Sequence, residues 1–296
     1  MRVRVALLGA MLCSLISTLI AAAEKYGRPR LLLEPSELAK PEVAQRLVIL
    51  DARKKEAYDR SHIPDARWVD HDTWKSALGD GTDAEGWSKR IGDLGIGANS
   101  SVVVYDDTAA KDSARIWWLL RYWGVNDVRL LNGGWKAWQA EGLPTEAKEP
   151  PPAKAVEFTA AARKKLLVTN DQIVASLTDH GLQIVDARSN DEFCGIDMKE
   201  NKRGGAIPGA KHLEWSDLID LATSRFKRPE ELRRLFAQAG IDLDKPIASH
   251  CQSGGRASVM AFGLELMGAK DSRNYYPGWS EWGNNDNLPV VVSEKK

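Results

Sequence analysis

Short apolar runs alternate along this chain with longer stretches of helical spacing. Val48-Ile49-Leu50, Val102-Val103-Val104-Tyr105, Ile184-Val185 and Ile247-Ala248 are brief and nearly free of polar residues. Runs of that kind, bounded by polar or turn residues, read as strands covered on both faces. Asp127-Val128-Arg129-Leu130-Leu131 reads as a further strand. Between them, Ile116-Trp117-Trp118-Leu119-Leu120 predicts a buried helix, and Val259 to Met267 carries apolar residues at helical spacing. Strands alternating with helices predict an α/β fold, each sheet parallel and flanked by helices on both faces. In such sheets a ligand sits beyond the carboxyl ends of the strands.

The pattern occurs twice, in the same order. Val48-Ile49-Leu50-Asp51-Ala52-Arg53 matches Ile184-Val185-Asp186-Ala187-Arg188, and Tyr58 matches Phe193. His62-Ile63-Pro64-Asp65-Ala66 matches Ala206-Ile207-Pro208-Gly209-Ala210. Val102 to Asp106 falls where Ile247 to Cys251 falls, and Gly134-Trp135 with Trp138 matches Gly278-Trp279 with Trp282. Repeated matches in one order indicate a duplicated unit. The length of 296 residues also suits two domains of roughly 100–200 residues each. The expected division is a first domain over 29–146, a linker over 147–155 and a second domain over 156–292. Pro150-Pro151-Pro152 makes that linker stiff, because proline favours extended polyproline backbone. Residues 293–296 read as a loose tail.

The first 23 residues have a different character. Arg2 and Arg4 precede an almost wholly apolar run from Val5 to Ile20, followed by Ala21-Ala22-Ala23. That order predicts a signal peptide cleaved after Ala23, hence an exported protein, periplasmic if bacterial. No stable membrane insertion is expected after cleavage, the run being short for a span of about 20 residues. Composition excludes other classes. With 41 basic and 41 acidic residues the formal net charge is zero, so nothing favours nucleic acid. Cys13, Cys194 and Cys251 are the only cysteines, too few for a disulfide framework or a Cys-rich metal site.

Candidate chemistry concentrates in His250-Cys251-Gln252-Ser253-Gly254-Gly255-Arg256. Cys251 stands at a strand-to-helix turn. Gly254 and Gly255 let the backbone fold tightly enough for several N–H groups to face one centre, and the following helix adds its positive dipole end. Such surroundings favour a thiolate, and Arg256 adds a full positive charge. The competing readings are an inert cysteine in a glycine turn and an anion-binding phosphatase loop. The latter has five residues between Cys and Arg, whereas four separate Cys251 from Arg256. The smaller ring suits one persulfide sulfur better than the oxygens of a phosphate. His250, the neighbour of Cys251 on a strand, should point to the opposite face and serve packing. Cys194 is not expected to act as a redox partner. The eight tryptophans of the first copy read as core and interface rather than as a cofactor box.

The Cys251 loop resembles the active-site loop of the rhodanese family of sulfurtransferases, whose pattern is Cys, two variable residues, Gly, one variable residue, then Thr, Arg or Ser. The stretches from Tyr58 to Ala66 and from Tyr276 to Trp282 are similar to two further signatures of that family. The resemblance runs from about Leu31 to Val292. It implies two tandem rhodanese-like domains and double displacement. Cys251 takes a sulfane sulfur from a small anionic donor, becomes a persulfide, and passes the sulfur to cyanide or a thiol. It implies no metal and no organic cofactor. It assigns Gln252 to Arg256 as the active-site loop and Arg188, of the Asp-x-Arg motif, as a donor contact beside Arg256. The rival for Arg188 is a structural salt bridge with Asp186 or Asp191; for Arg53, at the same place in the first copy, the structural role is expected. The first copy has Asp106 where the second has Cys251. It resembles the non-catalytic domain of tandem rhodaneses and is expected to wall the cleft. Gln252 and Ser253 leave the donor open between thiosulfate and 3-mercaptopyruvate. A persulfide carrier without steady turnover stays an alternative, as does an arsenate reductase or phosphatase.

Overall fold

The computed structural model describes residues 24–147, 150 and 152–292. The predicted leader with Cys13, part of the proline-rich linker and the tail lie outside the described residues.

Two parallel sheets carry the fold. The first contains β1 (Leu32–Leu33), β2 (Leu47–Asp51), β3 (Arg67–Trp68), β4 (Ser101–Tyr105) and β5 (Asp127–Leu131), in the order β1-β5-β4-β2-β3. In the second copy follow β6 (Gln183–Asp186), β7 (Lys211–His212), a small antiparallel hairpin of β8 (Ile219–Asp220) and β9 (Arg225–Phe226), then β10 (Ile247–His250) and β11 (Ser272–Tyr275). The second sheet runs β11-β10-β6-β7. Thus β4 and β10 hold the same central place, each flanked by parallel neighbours. Their burial on both faces accounts for their continuous apolar sequence.

Each sheet has one face covered by its own core: Ile49, Val103, Tyr105 and Trp138 in the first copy, Ile184, Ala248, Tyr275 and Trp282 in the second. The other two faces share a single core that runs through both copies. At its centre the helices Lys111–Tyr122 and Gly255–Leu266 lie against each other, and Trp117 meets Phe262 edge-on at 5.0 Å. Of the eight tryptophans, all but Trp68 are buried, as core and seam. The second helix is buried at every position from Gly255 to Leu266 except Arg256. The helix that follows Cys251 is therefore clamped between the copies rather than lying on a surface.

Further contacts cross this seam. The arm before β1 reaches the second copy, where Arg28 donates its backbone N–H to Leu266 O at 2.9 Å and pairs with Glu265 at 3.0 Å. Arg121 of the first copy binds the same Glu265 at 2.5 Å. In the other direction, the stretch from Val156 to Arg163 was expected to open the second domain, but it is bonded to the first. Val156 N donates to Gly92 O, Ala161 N to Trp123 O and Arg163 N to Tyr122 O. Phe158 and Ala160 bury against the same core, so apolar contact holds the strap where sequence marked only the end of the prolines.

Candidate active site

Cys251 follows the last residue of β10 and is 2% exposed. Gly254 has φ +83° and caps the Gly255 helix; a Cβ there would meet the Tyr276 ring at 2.5 Å, so only glycine fits. Every loop carbonyl is tied down behind the loop. Cys251 O accepts from Trp279 N at 2.7 Å, and Gln252 O from Ser280 N at 3.0 Å. Ser253 O accepts from Arg115 Nη1 at 2.8 Å. Gly254 O accepts from Ser258 N, Ser258 Oγ and Asn274 Nδ2. By contrast, among the described residues no protein acceptor takes the N–H groups of residues 252–256. The loop carbonyls are thus engaged, while the N–H groups of residues 252–256 are left without a protein acceptor next to Cys251 in the chain. A concavity of successive N–H groups at a helix start is an anion cradle.

The first copy shows the same cradle filled. Asp106 follows β4 as Cys251 follows β10. Its carboxylate accepts from Ala110 N at 3.0 Å, Asp112 N at 2.9 Å, Ser113 N at 2.8 Å and Thr108 N at 3.3 Å. This loop contains no glycine. Ala109 and Ala110 nonetheless take φ +55° and +70° and supply the turn. Four charge-assisted bonds offset the strain of a left-handed alanine. Burial, with Asp112 nearby, raises the Asp106 carboxyl above its usual range.

Arg256 is half of an ion pair. Its fork grips Glu192 at 2.5 and 2.7 Å. Burial opposes the charge on both partners, yet the pair holds Glu192 below, and Arg256 above, their usual ranges. Glu192 is fixed by a capping box with Ser189. Arg256 therefore meets a donor with its charge already matched.

Arg188, expected as a donor contact beside Arg256, is buried and paired within the chain. It is 1% exposed; its Nε lies 3.0 Å from both Asp186 carboxylate oxygens, and its Nη2 donates to Asp186 at 2.5 Å and to Gly205 O at 2.7 Å. Its guanidinium covers the Trp279 ring at 4.2 Å. Arg53 does the same with Asp51, Ser61 O and the Trp135 ring at 4.0 Å. An arrangement present in both copies, one of them without the cysteine, belongs to the fold. It stacks a planar cation on an aromatic face and ties strand to turn.

His250 packs on the face opposite Cys251, as the strand alternation implied. It is fully buried on central β10, with Nε2 3.4 Å from Asp186 Oδ2. Burial pulls it down to about 4, against the pull of Asp186, so it is neutral at pH 7. Burial would raise Asp186, but His250 and Arg188 hold it at about 2. Cys194 and Cys251 are both buried. The Cys194 thiol donates to Asn190 Oδ1 at 3.8 Å. Among the described residues no His, Cys, Asp and Glu cluster suits a metal ion, and no helix is long and apolar enough to cross a membrane.

Several residues of the site escaped sequence reasoning. Gln252 exchanges amide hydrogen bonds with Asn201, donating at 3.1 Å and accepting at 3.2 Å. Asn284 donates to the same Asn201 oxygen at 2.9 Å. The segment 195–205 that brings Asn201 there is absent from the first copy, where Tyr58 and His62 stand close in sequence while Phe193 and Ala206 do not. The Ser189-x-x-Glu192 spacing could have exposed Glu192. Nothing local pointed to Arg115, which arrives from the other copy.

Parallel α/β copies, one with a cysteine in an open cradle and one with its cradle filled, define a tandem enzyme of sulfur transfer. The chain belongs to the rhodanese family: a model of the Rhodanese-like domain matches residues 34–141 and 169–285. It is 32% identical over 289 residues to the thiosulfate sulfurtransferase of Corynebacterium glutamicum, covering 92% of this chain and 94% of that one. To the 3-mercaptopyruvate sulfurtransferase of Homo sapiens it is 31% identical over 280 residues, covering 92% and 91%. Among solved structures, YnjE is similar with a TM-score of 0.80 at 26% identity, over 89% of this chain and 68% of that one. The protein is a sulfurtransferase.

Proposed function

We propose that Cys251 carries sulfur from thiosulfate, or a similar anionic donor, to cyanide or a thiol. The observation that supports this most is that the N–H groups at 252–256, in the loop that follows Cys251, have no protein acceptor among the described residues, whereas their counterparts in the first copy are taken by Asp106. The Cys251 thiolate attacks the outer sulfur of thiosulfate. The donor's S–S bond breaks, its electron pair leaves on sulfite, and Cys251 keeps the transferred atom as a persulfide anion. Cyanide then takes that atom, thiocyanate leaves, and the bonding pair returns to Cys251 as thiolate. The loop amides face both anions and stay fixed throughout, which is how preorganised donors lower such barriers.

Donor preference follows from charge. Arg256 is matched by Glu192, and Gln252 is neutral and held by Asn201. The site therefore has no surplus of side-chain cations on the loop, and thiosulfate, a dianion, binds weakly but measurably. The alternative donor is 3-mercaptopyruvate, with one carboxylate. A donor panel on the purified protein, with cyanide and thiol acceptors, decides between them. Thiocyanate formation from thiosulfate at millimolar KM is expected, and turnover with mercaptopyruvate alone overturns the donor. One transferred sulfur per chain without further turnover would make the protein a carrier. The reading includes export, periplasmic in a bacterium, carried by the leader at 1–23; a mature amino terminus at Glu24 in the exported fraction tests it.

A further inference from the structure

Arg115 belongs to the first copy, on the helix Lys111–Tyr122, yet its guanidinium lies in the second copy's active loop. Its Nη1 donates to Ser253 O at 2.8 Å and to Tyr276 Oη at 2.6 Å. Its carbon lies 5.2 Å from the Tyr276 ring centre. A Cβ on Gly255 would lie 2.5 Å from Nη2, so the fork packs against the loop where glycine leaves room for it. Arg115 is 6% exposed, and its Nε is buried without a partner. Among the described residues no carboxylate forms an ion pair with it. Counted from the left-handed caps Ala110 and Gly254, the second copy has Val259 at this place. The cation is a feature of one copy, aimed at the other.

A buried guanidinium without a counter-ion is costly unless an anion stands near it. The anion of this site is the thiolate or persulfide of Cys251. We infer that Arg115 is a positioning residue through which the non-catalytic copy sets the catalytic loop: it holds the Ser253 carbonyl outward, so that the neighbouring N–H groups face the sulfur, and it supplies the unmatched positive charge that Arg256 does not. This rests on Cys251 being the sulfur carrier. It goes beyond that reading by assigning the first copy an electrostatic part in the reaction, where a mere wall would contribute packing alone.

The test compares Arg115→Met and Arg115→Lys in the full chain, with Tyr276→Phe and Gly255→Ala as companions. Rapid-mixing measurements follow persulfide formation from thiosulfate against pH, and near-ultraviolet circular dichroism reports the fold. Arg115→Met should slow persulfide formation roughly 10–100-fold, the loss of a buried charge-assisted contact. Its pH–rate profile should move to higher pH. Arg115→Lys should bring the profile back toward that of the parent while leaving part of the rate loss, because lysine restores charge but not the fork. Gly255→Ala, which pushes Nη2 aside, should move the profile as Arg115→Met does, and Tyr276→Phe less so. A folded Arg115→Met chain with unchanged rate and profile overturns the inference. If that chain does not fold, Gly255→Ala and Tyr276→Phe are decisive, and unchanged profiles in both overturn it. No persulfide on the unaltered protein would instead remove the sulfur-carrier reading itself.

Discussion

The loops after β4 and β10 share one backbone plan and hold different anions. In one, Asp106 folds its own carboxylate into the ring of N–H groups. In the other the loop N–H groups after Cys251 are left without a protein acceptor, while the loop carbonyls are bonded. Counted from the same caps, Arg256 corresponds to Asp112, so cation and anion change places as well. The difference teaches that an anion hole can outlast its chemistry. A backbone cradle needs an anion to satisfy its donors, and the copy that lost or never had the sulfur supplies one from its own side chain. The Arg53 and Arg188 pairs carry the complementary lesson. What both copies retain is scaffold, and what only one retains is chemistry.

The largest expected effect breaks the comparison at its centre. Cys251→Ser should lower sulfur transfer by at least about 10³-fold, as loss of a nucleophile does. Cys194→Ser should leave most of it. Mass spectrometry after donor treatment should find one added sulfur on Cys251; finding it on Cys194 would overturn the assignment. Asp106→Cys should gain no persulfide, because Asp112 stands where Arg256 stands in the other copy.

Arg188→Ala and Arg53→Ala should each lower stability by about 3–5 kcal/mol, since each leaves a buried carboxylate without its partner. Denaturant unfolding measures this. If Arg188→Ala raised the donor KM tenfold at unchanged stability, the scaffold role would fail. Asp106→Ala should cost about 1–3 kcal/mol by leaving buried N–H groups without an acceptor.

Acid separates the copies by sign. His250 is held at about 4, below its usual value, so the unfolded chain binds that proton more tightly. Its contribution to stability is full above about pH 6.5 and is lost as pH falls toward about 4. Asp186, held at about 2, contributes above the ordinary carboxylate range and loses that contribution as pH falls toward about 2. Asp106, raised by burial, works in the opposite sense and favours folding at low pH. The first copy has Tyr105 at the His250 position. Unfolding free energy followed from pH 7 to 4 should therefore fall less in His250→Tyr than in the parent; equal slopes would remove His250 as the cause.

The smallest effect concerns the donor. Gln252→Arg adds a cation but breaks the amide pair with Asn201. It should lower the thiosulfate KM several-fold, for a half-exposed charge contact of about 1 kcal/mol, and do little for mercaptopyruvate. Equal effects on both donors would show that position 252 does not read charge.

The sequence by itself determined the two copies, the parallel α/β class, the place of Cys251 at a strand end and the turn around Gly254 and Gly255. Those follow from periodicity and from steric rules that act over a few residues. It favoured a donor contact for Arg188 and carried the Asp186–Arg188 pair as the rival, because a guanidinium suits a carboxylate of the chain as well as one of a ligand. Only tertiary structure placed Arg188 against Trp279 and Arg53 against Trp135 in the same way. Only tertiary structure brought Glu192 to Arg256, Asn201 to Gln252 and Arg115 to Ser253. Arg115 and Ser253 are 138 positions apart, and no local preference encodes such a contact. It exists because the helices after Asp106 and Cys251 bury their apolar faces against each other, and that packing, driven by the area removed from water, sets which polar groups meet at the ends.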